Sequence, residues 1–306
     1  MLDISVRRPV APADVAALRD VAALAAAAAG HPVLGDSVWR DLAHPSPDTT
    51  LVVAQDHGVA VGVLHAGRNE AGASSHLRLS VAVAPGQPVG EVAGALVRRA
   101  LDDLRDGSGH LVELWVSGAD DDSDAVAAEL GLKPARDLWQ LRVRLPVPSP
   151  RWPPGVTVRP FEPGRDDDAW LRVNNRAFAA DPDQGRWSLA VLREREREPW
   201  FDPAGFLLAF DDRGLAGFCW TRLHPPAPPV EPDALGEIYV IGVDPDRQGL
   251  GLGRSLVLAG LDDLHRRRGA AIGMLFVDAA NAPALALYQS LGFSLARVDR
   301  GYVCDR

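Results

Sequence analysis

Residues 243–257, VDPDRQGLGLGRSLV, decide how this chain is read. Gly249, Gly251 and Gly253 alternate with leucines, between the apolar run GEIYVIGV and the helix-like run SLVLAGLDDL. The first run predicts a strand over 237–243. The second places Leu256, Val257, Gly260, Leu261 and Leu264 on one face of a helix over about 251–267. That helix ends on HRRR with Gly269 beyond, basic residues where a helix dipole favours them. Strand, glycine turn, helix is a geometry for anions, because the helix start leaves N–H groups unpaired. Glycines let the anion come close, and Arg254 can add a charge-assisted bond. A phosphate loop of the G-x-x-x-x-G-K-[ST] kind is excluded, since Gly253 is followed by Arg254 and Ser255. A G-x-G-x-x-G fingerprint fails because Arg254 stands at the third position, and because this strand comes late in its unit. From these residues alone, the turn is either an anion cradle or a plain turn with surplus glycine.

Working outward, the pattern recurs. VAPGQPVGEVAGALVRRALDDL, from Val83, lies over VDPDRQGLGLGRSLVLAGLDDL, from Val243, without a gap. DHGVAVGVL resembles DRGLAGFCW, and ELGLKPAR resembles SLGFSLAR. Between the copies, LPVPSPRWPPG carries five prolines and reads as a stiff linker. The division is therefore 1–144, a first α/β unit; 145–155, a Pro-rich linker; and 156–306, a second α/β unit. In the second unit we expect strands near 156–160, 272–277 and 293–303, a hairpin over 205–223, and helices near 167–178 and 282–291. The Ala-rich run after Pro12 reads as a helix ending at Gly30.

The chain has 306 residues and a formal charge of −9, which argues against a nucleic-acid or anionic-membrane partner and leaves a small cationic substrate open. Its two cysteines form no disulfide framework, the histidines show no ligand spacing, and no segment approaches a membrane span. We expect a cytoplasmic monomer without a metal. Cys219, in LAGFCWT, reads as a small buried hydrophobe.

Two signatures then converge. Gln248-Gly249-Leu250-Gly251-Leu252-Gly253 fits Q/R-x-x-G-x-G/A, and NAPALALYQSLGF, from Asn281, fits N-x-x-A-x-x-x-Y-x-x-x-G-F. Together and in this order they resemble the acyl-CoA site of the GNAT family of N-acetyltransferases. The resemblance covers 156–306. It implies an α/β fold with a mixed, V-splayed sheet in two tandem GNAT lobes, and acetyl-CoA in the cleft as cosubstrate. By this resemblance the cofactor contacts are Ile241, Gly242 and Val243, then Gln248, Gly249, Leu250, Gly251, Leu252, Gly253 and Arg254. Asn281, Ala282, Pro283, Ala284, Leu285 and Ala286 complete them.

Acyl transfer to an amine needs a base, a polarised carbonyl and an acid for the leaving thiolate. Glu237 opens an otherwise apolar strand, a costly place for a carboxylate without a task; by the resemblance it is the base or an amine anchor, and otherwise an exposed strand-end group. It shares a face with Tyr239, Ile241 and Val243 if no bulge intervenes. Tyr288 is either a core tyrosine or, by the resemblance, the acid. In the gapless overlay Leu77 falls under Glu237; with the offset one residue larger that sets ELGLKPAR over SLGFSLAR, Ala127 falls under Tyr288. Pro88 and Glu91 replace loop positions that an anion needs, so the first lobe reads as non-catalytic.

The tandem arrangement, with NNRAFAADPDQGRW, GFCWTRLH and LGEIYVIGV, further resembles two-lobed members that acetylate the amine of a thiol pseudodisaccharide. It implies acceptor contacts at Asp36, Asp183, Arg222, Glu237 and Phe276. Asp36 and Asp183 equally suit turns or caps. Open alternatives are a GNAT enzyme for another amine or a protein N-terminus, and a non-catalytic acyl-CoA sensor.

Overall fold

The computed structural model describes residues 2–69, 76–103, 111–181, 184–228 and 231–305. In chain order the first half runs β1 (Asp3–Arg7), α1 (Pro12–Ala29), α2 (Asp36–Ala43), β2 (Thr50–Asp56), β3 (Val59–Asn69), β4 (His76–Val83), α3 (Val89–Asp103), β5 (Leu111–Ser117), α4 (Asp121–Glu129) and β6 (Lys133–Arg144). The second runs β7 (Thr157–Pro160), α5 (Asp167–Ala177), α6 (Leu189–Glu196), β8 (Phe206–Asp211), β9 (Gly214–His224), β10 (Leu235–Val243), α7 (Leu252–Arg266), β11 (Ile272–Asp278), α8 (Ala282–Ser290) and β12 (Ser294–Asp305). The expected elements of the second half all form, and the helix ending at Gly30 forms too, with Gly30 at φ 72° as its left-handed cap. The α6 turn was not anticipated.

All strands join one 12-stranded mixed sheet, ordered β1-β2-β3-β4-β5-β12-β6-β11-β10-β9-β8-β7. β4 runs parallel to β5 and β10 to β11, because α3 and α7 cross over between them. The other pairs are antiparallel. At its centre the sheet ignores the order of the chain. β6, from the first half, pairs with β11, and β12, from the second, pairs with β5. The two exchanged strands also pair with each other. The 145–155 segment is held against the second half: Leu145 donates to Ala271 at 3.0 Å, and Trp152 packs on the α7 core.

Helices cover both faces in each half. Leu18, Val21, Val38 and Leu42 of α1 and α2 pack on one face of the first half; Val92, Leu96 and Leu101 of α3 pack on the other. In the second half, Trp170 of α5 and Leu192 of α6 pack with Phe206, Phe218 and Trp220 on one face. On the opposite face α7 buries Leu256, Val257, Gly260, Leu261 and Leu264, the five positions its periodicity marked. Gly260 lets α7 sit close to the sheet: a Cβ there would lie 2.5 Å from Cys219 Sγ. Cys219 is fully buried and burial pushes its thiol pKa up, which suits a packing residue.

The halves share their register up to one point. Gly62 faces Val83 as Gly217 faces Val243, and β3 and β9 carry matching bulges opposite Ala54 and Ala209. β10 has a second bulge, between Ile238 and Val240, where β4 runs regularly. The extra residue shifts everything before it. Glu237 faces Arg222, and Arg78, not Leu77, holds the corresponding place opposite Gly67. Leu77 lies in the α3 core. The gapless overlay is thus off by one residue on this strand.

Candidate active site

The bulge organises the site. Before it, Glu237 and Ile238 pair with Met274 and Leu275 of β11; after it, β10 has no strand partner on that side among the described residues. The strands part there, as the V-splayed sheet requires. The bulge also changes which side chains share a face. Ile238, Ile241 and Val243 pack toward α7, whereas Tyr239 and Val240 pack with the aromatic cluster under α5 and α6. The single face expected for Glu237, Tyr239, Ile241 and Val243 is therefore broken, because the bulge intervenes.

Glu237 is 6% exposed, and its Oε2 accepts from His224 Nε2 at 2.6 Å. The strand-end, solvent-facing alternative does not describe this carboxylate. Arg222, across from it on β9, bonds Asp36 at the start of α2, so residues expected as separate contacts meet across the two halves. Desolvation pushes the Asp36 carboxyl up, but the bond and charge of Arg222, with Arg40 and His224, outweigh it and hold the pKa below the ordinary value. The Arg222 guanidinium also lies 4.8 Å from the Trp200 ring centre, and Trp200 meets Tyr239 edge-on at 4.8 Å. Burial pushes the Tyr239 phenol up. Phe276, two residues beyond Met274 on β11, faces the same side of the sheet as Glu237, with the Arg297 guanidinium 5.7 Å from its ring centre. Asp183 lies outside the described residues. Its neighbours are anchored: Gln184 O accepts from Asn174 Nδ2 at 3.1 Å, and Asp181 pairs with Arg136 at 3.4 Å.

Beyond β10, Asp244 caps a short turn and Gln248 Nε2 reaches back to Val243 O at 3.4 Å. Gly249 and Gly251 take φ values of 80° and 82°, open to glycine at little cost. A Cβ at either would meet nothing within 4 Å, so the loop borders open space. Among the described residues no acceptor bonds the N–H groups of Gly249, Leu250, Gly251, Leu252, Gly253 or Arg254. The first turn of α7 carries no acidic residue. The donor set fits a pyrophosphate. Arg254 instead bonds Ser290 at 2.8 Å. Asn281 caps α8 by accepting from Ala284 N at 3.2 Å, with Pro283 in the first turn. Tyr288 is 7% exposed, and burial pushes its phenol up, so it keeps its proton.

In the first half the corresponding space is filled. A Cβ on Gly90 would meet Val126 of α4 at 3.1 Å, Glu91 stands in the first turn of α3, and Ala127 is buried in the core. Arg78 pairs with Glu113 at 2.8 Å where Glu237 would be. Sequence reasoning missed His224. Arg222 and His224, two apart on β9, face the strand that carries Glu237, a placing that only the register reveals.

No helix among the described residues is long and apolar enough to cross a membrane, and no group of three or more His, Cys, Asp or Glu among them could hold a metal. The GNAT acetyltransferase family model matches residues 169–293. The chain is 46% identical to the mycothiol acetyltransferase of Thermomonospora curvata over 256 residues, covering 82% of this chain and 81% of that one. A GCN5-related N-acetyltransferase structure from Sphaerobacter thermophilus superposes with a TM-score of 0.76 at 24% identity, over 99% of this chain and 95% of that one. A tandem GNAT protein of the clavulanic acid pathway superposes at 0.74 and 18% identity, over 100% and 98%. The structural matches carry the fold; the sequence match over most of both chains carries the family. This chain is an acyltransferase that belongs to the mycothiol acetyltransferase family, within the GNAT fold.

Proposed function

We propose that this protein acetylates the cysteinyl amine of a cysteine–glucosamine–inositol conjugate, giving mycothiol and CoA, in the cytoplasm. Acetyl-CoA, when bound, supplies an activated thioester. The N–H groups of residues 249–254 hold its pyrophosphate, beside the Gln248 side chain and helped by the α7 dipole. Backbone groups of Ile241, Gly242 and Val243, on the edge of β10 that β11 has left, bind the pantetheine arm and polarise the carbonyl. Asn281, Ala282, Pro283, Ala284, Leu285 and Ala286 form the wall at the start of α8.

Glu237 anchors the end of the site that takes the attacking amine and drives its deprotonation, directly or through an intervening water or side chain. Tyr288 delivers its proton to the departing sulfur. Asp36, Arg222, Phe276 and Asp183 contact the acceptor, the acidic groups attracting its ammonium and the guanidinium its hydroxyls. The observation that carries this reading is the buried Glu237 at the β10 bulge, upstream of the acid-free glycine turn that leads from this strand into α7.

The test is CoA release with acetyl-CoA and the cysteinyl conjugate, beside a panel of simple amines. We expect the conjugate to exceed the panel by about 100-fold or more in kcat/KM, since a site built to hydrogen-bond hydroxyls discriminates strongly against analogues lacking them. Equal rates across the panel would assign the site to another amine.

A further inference from the structure

We propose that the proton leaving the acceptor amine is received by His224 Nδ1, and that Glu237 acts by holding that imidazole in place. The inference rests on the reading that this end of β10 faces the amine. Leu235 pairs with His224 and Glu237 with Arg222, so all four side chains project from one side of the β9–β10 pair. The diagonal contact between Glu237 and His224 closes to 2.6 Å. A carboxylate can only accept, so the hydrogen sits on Nε2. In the neutral ring this leaves the lone pair on Nδ1, which has no hydrogen-bond partner among the described residues.

The exposure of the two groups differs. The Glu237 side chain is 8% exposed and that of His224 is 29% exposed. A proton placed on the carboxylate has to leave a buried site, whereas the imidazole reaches water. Charged groups near the ring include Glu237 from β10, Asp36 from α2 and Arg222 from β9 itself. Arg222 is held by Asp36, and Arg40 of α2 acts on the same carboxylate. Glu237 therefore remains the group bonded to the ring, in the relation of an orienting carboxylate to a histidine base.

The step balances as follows. The amine nitrogen forms the bond to the acetyl carbon and gives its proton to Nδ1; the carbon–sulfur bond breaks and the sulfur takes the Tyr288 proton. The imidazolium keeps its Nε2–H bond to Glu237 and releases the Nδ1 proton to water, and Tyr288 is reprotonated from water.

The test uses the full chain with His224→Gln, His224→Ala and Glu237→Gln. Gln can donate the same bond to Glu237 but cannot take a proton. We expect H224Q to lose about 100-fold or more in kcat with little change in the KM for acetyl-CoA. Added imidazole restores part of the H224A rate. Wild-type kcat in H224Q, with E237Q impaired, overturns the role of His224 and leaves Glu237 as the base. Wild-type rates in both overturn the placing of the amine at this end of β10. Independently of any variant, ring nitrogen NMR of the resting enzyme should show the Nε2–H tautomer; an Nδ1–H tautomer overturns the proposal.

Discussion

At the scale of single residues, burial does most of the chemical sorting. Tyr288 is legible as an acid only through its motif, since its helical face is equally that of a core tyrosine. In the proposed role it has a proton to give, because burial holds it on the phenol. Tyr288→Phe should lower kcat about 100-fold or more in the CoA-release assay while calorimetry finds acetyl-CoA still bound. Asp36 is equally two-sided in the sequence, a helix-start residue or a substrate contact. Its folded pKa is depressed, so its bond to Arg222 is complete above the ordinary aspartate value, near about 3.9, and is lost as pH falls through the lower folded value. At neutral pH the carboxylate is fully charged. Asp36→Asn should therefore raise the KM for the acceptor more than it lowers kcat, read from initial rates at pH 7. His224 was legible in hindsight only, because histidine alternating with arginine on a strand says nothing until its partner strand is known.

At the scale of elements, period and turn chemistry carried the reading, and register did not. The α7 stripe and the α8 cap follow from side chains within one segment, which is why sequence alone placed them. The β10 bulge depends on how a strand meets its neighbour, and no residue in GEIYVIGV announces it. Gly260 shows how closely the elements fit. Gly260→Val should cost about 1–3 kcal/mol, seen as a lower Tm, because the new side chain would meet Cys219. Cys219→Ala in the same chain should recover part of that loss, a coupling that a double-mutant cycle measures. The start of α5 offers a second case. Arg159 of β7 grips Asp166 through bonds of 2.6 and 2.7 Å, and Asp166 also accepts from Glu162 N at 2.9 Å. The Arg159 bond, against opposing desolvation, holds the Asp166 pKa low. Asp166→Asn should cost about 1–3 kcal/mol by thermal unfolding at pH 7. The cost should shrink as the pH is lowered through the depressed value, where the native aspartate also becomes neutral.

At the scale of the whole molecule, the internal repeat was visible and its consequence was not. Offsets between similar segments reveal a duplicated unit, but they cannot say which copy of the last strand completes which sheet. The sheet resolves this by exchange: β6 borders β11, β12 borders β5, and the pair joins the halves. We expect one cooperative thermal transition, not two, by calorimetry. Residues 156–306 expressed alone should lack acetyltransferase activity, because β11 would be left with an unpaired edge. Co-expression with residues 1–155 should restore it. The exchange also orders events during synthesis. β12 is the last of these strands to be made, yet its place is between β5 and β6, at the heart of the sheet. A nascent chain must therefore hold a slot open in its middle until those residues leave the ribosome, and a ribosome that stalls near residue 290 releases a protein split down its centre, not one merely frayed at its tip.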